Sequence, residues 1–224
     1  MKSSYRTPAS LFVIGASLSI APLFAQMMGN RAILLAMGMN AKKVVQYEWK
    51  QRVTVIRKGN PSEPMIDQVR FDSTGQMQRT PISVPPQKQM SGIRGRVAAN
   101  VKENVKGIME LAGAYNKPQQ MMSAVQKAQV SRAPGGGMTE LRASSLIQPS
   151  DSMTMLLNSA THLASHIDIR TTYHGDPMTI AQDYSELPDG PNVMKSMRVS
   201  VPRKDLAVNV DSYDFARQSA AVRR

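Results

Sequence analysis

Apolar and polar residues alternate most cleanly from Tyr47 to Lys58 (YEWKQRVTVIRK), where Tyr47, Trp49, Val53 and Val55 fall on one side and Glu48, Lys50, Arg52, Thr54 and Lys58 on the other. A period of two with one apolar side predicts a strand that faces a core. The preceding segment, Ala32 to Val45 (AILLAMGMNAKKVV), clusters its apolar residues as an amphipathic helix does and is loosened at Gly38. After a turn at Gly59 to Pro64, Met65 to Phe71 alternates again. The turn residues Asp72-Ser73-Thr74-Gly75 then lead into Gln76 to Ser83, which predicts a hairpin.

Pro81, Pro85 and Pro86 close this region and the period changes. Ile93, Val97, Val101, Val105, Ile108, Leu111, Ala112 and Tyr115 recur every three or four residues, with Arg94, Lys102 and Lys106 off the stripe, so a long amphipathic helix is predicted. Asn116-Lys117-Pro118 ends it, and a shorter helix begins at Pro118 with Met121, Met122 and Val125 as its apolar side. Arg132 to Met138 (RAPGGGM) reads as a flexible connector. The rest is a string of short runs: Leu141 to Ile147, Met153 to Leu157, Ile167 to Tyr173, Met178 to Tyr184, Val193 to Val201 and Leu206 to Phe215. Turn residues separate them, as at His174-Gly175-Asp176-Pro177 and Pro202-Arg203-Lys204-Asp205, which predicts an antiparallel meander of five or six strands.

Lys2 and Arg6 precede the apolar run Leu11 to Ala25 (LFVIGASLSIAPLFA), the pattern of a secretory signal cut after Ala25. Leu23 departs from a small residue three places before the cut, so cleavage a few residues away and a retained amino-terminal anchor are alternatives. Residues 26–217 then form one α+β domain and residues 218–224 a basic tail, with a periplasmic or secreted location. The chain has no cysteine. That removes lipid modification at a new amino-terminal Cys, disulfides, thiolate metal sites and a thiol nucleophile. Stability then rests on packing, which the roughly 199 residues left after a cut at Ala25 are enough to supply.

The formal charge of +12 is unevenly spread. Residues 41–106 carry 13 Lys and Arg against 5 Asp and Glu, whereas residues 139–216 carry 6 against 10. One reading is that the two halves pack together and neutralise each other. Another is peripheral contact of the basic face with an anionic membrane surface. Nucleic acid is not expected, because no aromatic and basic motif of a binding sheet is present and an exported chain meets little of it.

No reaction is specified. His162, His166 and His174, with Asp168 and Asp176 nearby, have metal-ligating atoms but lie around a strand-like segment, where residues four apart are about 13 Å from each other rather than one helical turn; turn histidines are the expectation. The 17 methionines include soft-ligand pairs such as Met121-Met122 and Met153-x-Met155, yet most sit in apolar stripes where they serve as packing. No Gly-x-Ser-x-Gly elbow occurs, and Gly92-Ile93-Arg94-Gly95 lacks the remaining glycines and the preceding strand of a phosphate loop. Asp183 with Glu186, and Asp211 with Asp214, read as solvated acids. No catalytic residue, metal ligand or cofactor site is therefore assigned.

A leading helix that feeds Tyr47-Glu48-Trp49-Lys50, a hairpin, two helices and a carboxy-terminal meander together resemble the periplasmic lipoprotein-carrier superfamily, the LolA-like half-barrels. Val69-Arg70-Phe71-Asp72, Leu187-Pro188-Asp189-Gly190 and Val208-Asn209-Val210-Asp211 are similar to stretches in exported bacterial proteins. The resemblance implies a curved antiparallel sheet, a half-barrel covered by helices, around an apolar cavity that takes a lipid or lipidated ligand. Trp49, Val53, Val55, Val69, Phe71, Val97, Val101, Val105 and Ile108 are the expected lining. Such a cavity needs no catalyst, since each buried CH₂ contributes roughly 0.8 kcal/mol. Two alternatives stand beside the carrier: an envelope protein of the same fold with a packed interior and a basic surface, and an exported hydrolase.

Overall fold

The computed structural model of the chain describes residues 21–85, 92–188 and 190–218. Most of the expected signal, residues 1–20, and most of the expected basic tail, residues 219–224, lie outside these described residues. The first helix, α1 (Ala21–Val44), starts eleven residues before the predicted Ala32, so it is continuous across the expected cut site. It leads into β1 (Tyr47–Arg57), the two-residue β2 (Asn60–Pro61), β3 (Met65–Phe71) and β4 (Met77–Ser83). Helices α2 (Gly92–Tyr115) and α3 (Pro118–Lys127) follow. The carboxy-terminal part runs β5 (Gln129–Arg132), β6 (Met138–Ser144), β7 (Ser152–Asn158), β8 (Ala164–Tyr173), β9 (Asp176–Glu186), β10 (Asn192–Val201) and β11 (Leu206–Arg217), with one 3₁₀ turn at Pro202–Lys204.

Among the described residues, the eleven strands form one open, curved antiparallel sheet in the order β4-β3-β1-β11-β10-β9-β8-β7-β6-β5, with β2 folded back on β1. The α+β half-barrel expected from the element order is thus present. The meander has one more strand than predicted, because Gln129–Arg132 pairs with Thr139–Arg142. The amino-terminal hairpin joins the sheet through β1, which pairs along its length with the last strand: Val53 lies opposite Val210 and Val55 opposite Val208.

Local chemistry accounts for the joints. His174 and Gly175 both have positive φ, 51° and 82°, between the paired residues Tyr173 and Asp176, the two-residue geometry that matches the twist of an antiparallel hairpin. In the β3–β4 turn, Asp72 accepts hydrogen bonds from the Thr74 hydroxyl, the Thr74 and Gln76 amides and the Gln78 side chain. These donors, the Thr74 hydroxyl foremost, hold its carboxyl down to about 2. Helix α3 begins with Pro118 in its first turn and closes with the Ala128 amide bonded to the Val125 carbonyl.

The alternation predicted for the strands sorts the two faces. Leu141 and Ala143, Met153, Met155 and Leu157, Ile167 and Ile169, and Met178 and Ile180 are buried on the face that the helices cover. Arg142, Thr154, Asp168 and Arg170 point to the opposite, solvated face. On α3, Met121, Ala124 and Val125 are buried, whereas Met122 is exposed: the apolar side is rotated one position from the predicted stripe, with small Ala124 admitted where the helix approaches the sheet.

Candidate ligand-binding face

The helix-covered face divides into two regions. The helices make their principal backbone approaches to one another and to β5, β6 and β10. Under them lies a core in which Ile108, Ala112, Val125, Leu141, Met155, Leu157, Ile180, Val199 and Val208 have no exposed surface. Methionine is concentrated here: Met121, Met153, Met155, Met178 and Met197 are buried, and Met37, Met109 and Met194 pack against them. Unbranched thioether side chains adopt new rotamers at little cost, so such an interior can be re-packed.

The second region is the β11-β1-β3-β4 end. Trp49 is 6% exposed and lies between two rings, Phe215 stacked at 5.8 Å and 21° and Phe71 tilted at 5.8 Å and 52°. Val69 lies opposite Trp49 on β3 and is fully buried. The register of β1 against β11 shifts between Glu48 and Lys50, and Asp214 takes a positive φ of 53° there, which turns Phe215 toward Trp49. The Lys195 ammonium sits 4.8 Å from the Phe215 ring centre. Met65, opposite Val53, and Met77, opposite Phe71, continue this face with their side chains exposed.

Of the residues expected to line a cavity, Trp49, Val53, Val69 and Ile108 are buried, and Val55, Phe71, Val101 and Val105 are half-buried on the same side. Val97 is 40% exposed on a stretch of α2, Arg96 to Asn100, that faces solvent throughout. Two depressions on the described residues lie elsewhere: about 10 Å³ between α3 and Ser144–Leu146, and about 280 Å³ on the solvated face of β6–β8. Neither is an apolar cavity between sheet and helices.

Polar groups inside the core are tied to the carboxy-terminal end of α2. The Tyr115 hydroxyl donates to Asp151 Oδ2 at 2.6 Å and lies 2.7 Å from Thr171 Oγ1. The Ile147 and Gln148 amides reach the same carboxylate oxygen at 2.9 and 2.6 Å. Burial works against the charged form of Asp151, but these donors together hold its carboxyl below the usual carboxylate range. The Gln182 amide donates to Asn116 Oδ1 at 2.8 Å, a second polar tie at the same end of the helix.

On the solvated face His166 bridges two carboxylates, Asp183 at 2.7 Å and Asp168 at 3.0 Å. Burial lowers its affinity for a proton, and the two carboxylates more than offset this, raising the imidazole above its ordinary value. Ser196 donates to Asp183 at 2.8 Å rather than to His166, so the imidazole is not positioned to activate that hydroxyl as a nucleophile. Among the described residues, no group of three His, Cys, Asp or Glu could hold a metal ion.

No protein-family model and no curated protein matches this chain. Solved structures similar to it include a DUF1329 family protein from Desulfovibrio piger, 11% identical over 88% of this chain and 96% of that one, with a TM-score of 0.45. A domain from Vibrio parahaemolyticus named for outer-membrane lipoprotein sorting is 9% identical over 84% and 92%, with a TM-score of 0.41. A LolA superfamily protein from Nitrosomonas europaea is 6% identical over 81% and 93%, with a TM-score of 0.38. Each is a likeness of fold. The LolA-like half-barrel named from the element order is among them.

Several residues of this face carry no sequence signal. Phe215 closes the last predicted strand, but its stacking on Trp49 depends on a register between residues at opposite ends of the domain. Gln51 is 3% exposed on the apolar side of β1, where its polarity hid it from the alternation. Tyr115 was legible as apolar stripe, whereas its carboxylate partner sits in a turn 36 residues away.

Proposed function

We propose that the protein is an exported carrier or binding protein of the cell envelope that holds a lipid or lipidated ligand between the sheet and α2. The observation that supports this most is the methionine-rich interior, five buried and three half-buried methionines between sheet and helices, with the aromatic shelf of Trp49, Phe71 and Phe215 on the β11-β1-β3 part of the same sheet. Helix α2 is held unevenly over it. Its carboxy-terminal end is fixed by Tyr115 and Asn116, while Arg96 to Asn100 are exposed and Val101 and Val105 only half-buried. Swinging the amino-terminal half outward would expose Val101, Val105 and their partners to an acyl chain. Each CH₂ that enters contributes roughly 0.8 kcal/mol, so a short aliphatic segment offsets the lost helix contacts.

The Leu11 to Ala25 run supports export, and no described helix is long and apolar enough to cross a membrane. The packed-interior alternative has its own support: Ile108, Val125, Leu141, Met155, Leu157 and Ile180 under the helices have no exposed surface.

Native mass spectrometry of protein purified without detergent, followed by solvent extraction, separates the two. A discrete lipid near one per chain, present as isolated or acquired on incubation, is the expected result. A bare chain mass unchanged by incubation with phospholipids and free fatty acids would transfer the assignment to a packed envelope protein.

A further inference from the structure

The solvated face of the sheet is built as a lattice, and one part of it is a depression of about 280 Å³ lined by Arg142, Ser152, Thr154, Asp168 and Arg170. The register explains the grouping. Thr154 on β7 lies opposite Arg142 on β6 and Asp168 on β8, and Ser152 lies opposite Arg170. Two guanidinium groups thus flank a floor of two hydroxyls, with one carboxylate at the rim. Carboxylates elsewhere on this face are occupied: Asp211 by Arg52, Asp214 by Lys50, and Asp183 by His166 and Ser196. Asp168 is turned to His166, and Glu140 pairs with Arg142. Among the described residues, Arg170 has no carboxylate within ion-pair reach.

We infer that this depression is a binding site for a phosphate ester that also carries a free hydroxyl. A guanidinium presents parallel N–H donors that match two oxygens of a phosphate, and Ser152 and Thr154 supply further donors to a third. Asp168 is the discriminating group. Beside a bare dianion it would be repulsive, but the oxygen not taken by His166 can accept a hydrogen bond from an alcohol next to the phosphate. Phosphoglycerol and sugar phosphates have that chemistry, whether as the headgroup of a lipid or as a free solute. The site lies on the face opposite the helices, so it stands or falls independently of the carrier reading.

The test titrates the full chain with glycerol 1-phosphate, inorganic phosphate and glycerol by isothermal calorimetry, and measures its retention on phosphatidylcholine vesicles with and without phosphatidylglycerol. Arg170→Gln and the double variant Arg142→Gln/Arg170→Gln are compared with Arg198→Gln, which changes the same face outside the depression. All three arginine side chains are exposed, and circular dichroism verifies the fold of each variant. Saturable binding of glycerol 1-phosphate that weakens about tenfold or more in Arg170→Gln supports a free solute as ligand. No solute binding, but phosphatidylglycerol retention lost in Arg170→Gln and kept in Arg198→Gln, supports a lipid headgroup. In either case Asp168→Asn should reduce the preference for the hydroxylated ester over a phosphate without the hydroxyl. Binding to none of these probes, or an equal loss in Arg198→Gln and Arg170→Gln, overturns the inference.

Discussion

Tyr115, in the last turn of α2, reaches across to the sheet and donates its hydroxyl hydrogen to Asp151 at 2.6 Å. Both residues are 2% exposed. Burial and the neighbouring carboxylate push the Tyr115 phenol up, so it stays a donor throughout the accessible range. Tyr115→Phe leaves the carboxylate with its two backbone donors and the Thr171 hydroxyl and is expected to cost about 1–3 kcal/mol by urea denaturation. Because the Asp151 carboxyl is depressed in the folded state, its contribution is present above the unfolded value near 3.8 and lost as pH falls through the folded value. The stability gap between the native chain and Asp151→Asn should therefore hold from pH 7 to about 4 and close below it; a gap that stays constant down to pH 2 would refute the assignment.

Helix α2 should exchange its amide hydrogens in two rates. Ile108 to Tyr115 carry the buried side chains and polar ties, so they should be protected, while residues 95–106 should exchange faster in the free protein and slow when an acyl ligand is present. Uniform protection along the helix, with no change on adding fatty acid, would count against an opening amino-terminal half.

His166 has the opposite pH signature from Asp151. Its proton is favoured in the folded state by Asp183 and Asp168 despite partial burial, so it stabilises the fold below its unfolded value near 6.5 and ceases to do so as pH rises through the folded value. His166→Gln should lose more stability at pH 5.5 than at pH 8.5, as read from thermal melts. An NMR titration of the imidazole should give a midpoint above that of a histidine in an unstructured reference peptide; an equal or lower midpoint would remove the two carboxylates as partners.

Gly107 marks a close approach of α2 to the β8–β9 hairpin. A Cβ there would meet the Tyr173 hydroxyl and lie 3.0 Å from two of its ring carbons. Gly107→Ala is expected to destabilise by about 1–3 kcal/mol despite the better helix propensity of alanine, and Tyr173→Leu in the same chain should recover part of the loss. A Gly107→Ala chain as stable as the native one in denaturant would show that the helix does not rest on this ring.

The half of the fold held by local pattern was legible in the sequence. The alternation of Tyr47, Trp49, Val53 and Val55, the stripe from Ile93 to Tyr115 and the turn at His174-Gly175 each produced the expected element, because the signal that specifies each lies within one continuous stretch of chain. Gln129–Arg132 was missed because four residues with one apolar side chain carry no periodic signal, and they become a strand only through pairing with β6. The candidate face was less legible for the same reason. Trp49 could be placed on the apolar side of its strand, but its stacking on Phe215 and the grouping of Arg142 with Arg170 arise from registers that no local pattern encodes.

Pairing the first long strand with the last has a kinetic consequence. Lys50 and its partner Asp214 are 164 residues apart, so β1 and the hairpin it carries have no sheet to join until almost the whole chain is made. Closing so long a loop is slow, so the join between β1 and β11 is expected late in folding. Until β11 is made, the amino-terminal hairpin and the carboxy-terminal meander can form only as two separate sheets, and the last strand of the chain is the seam that joins them.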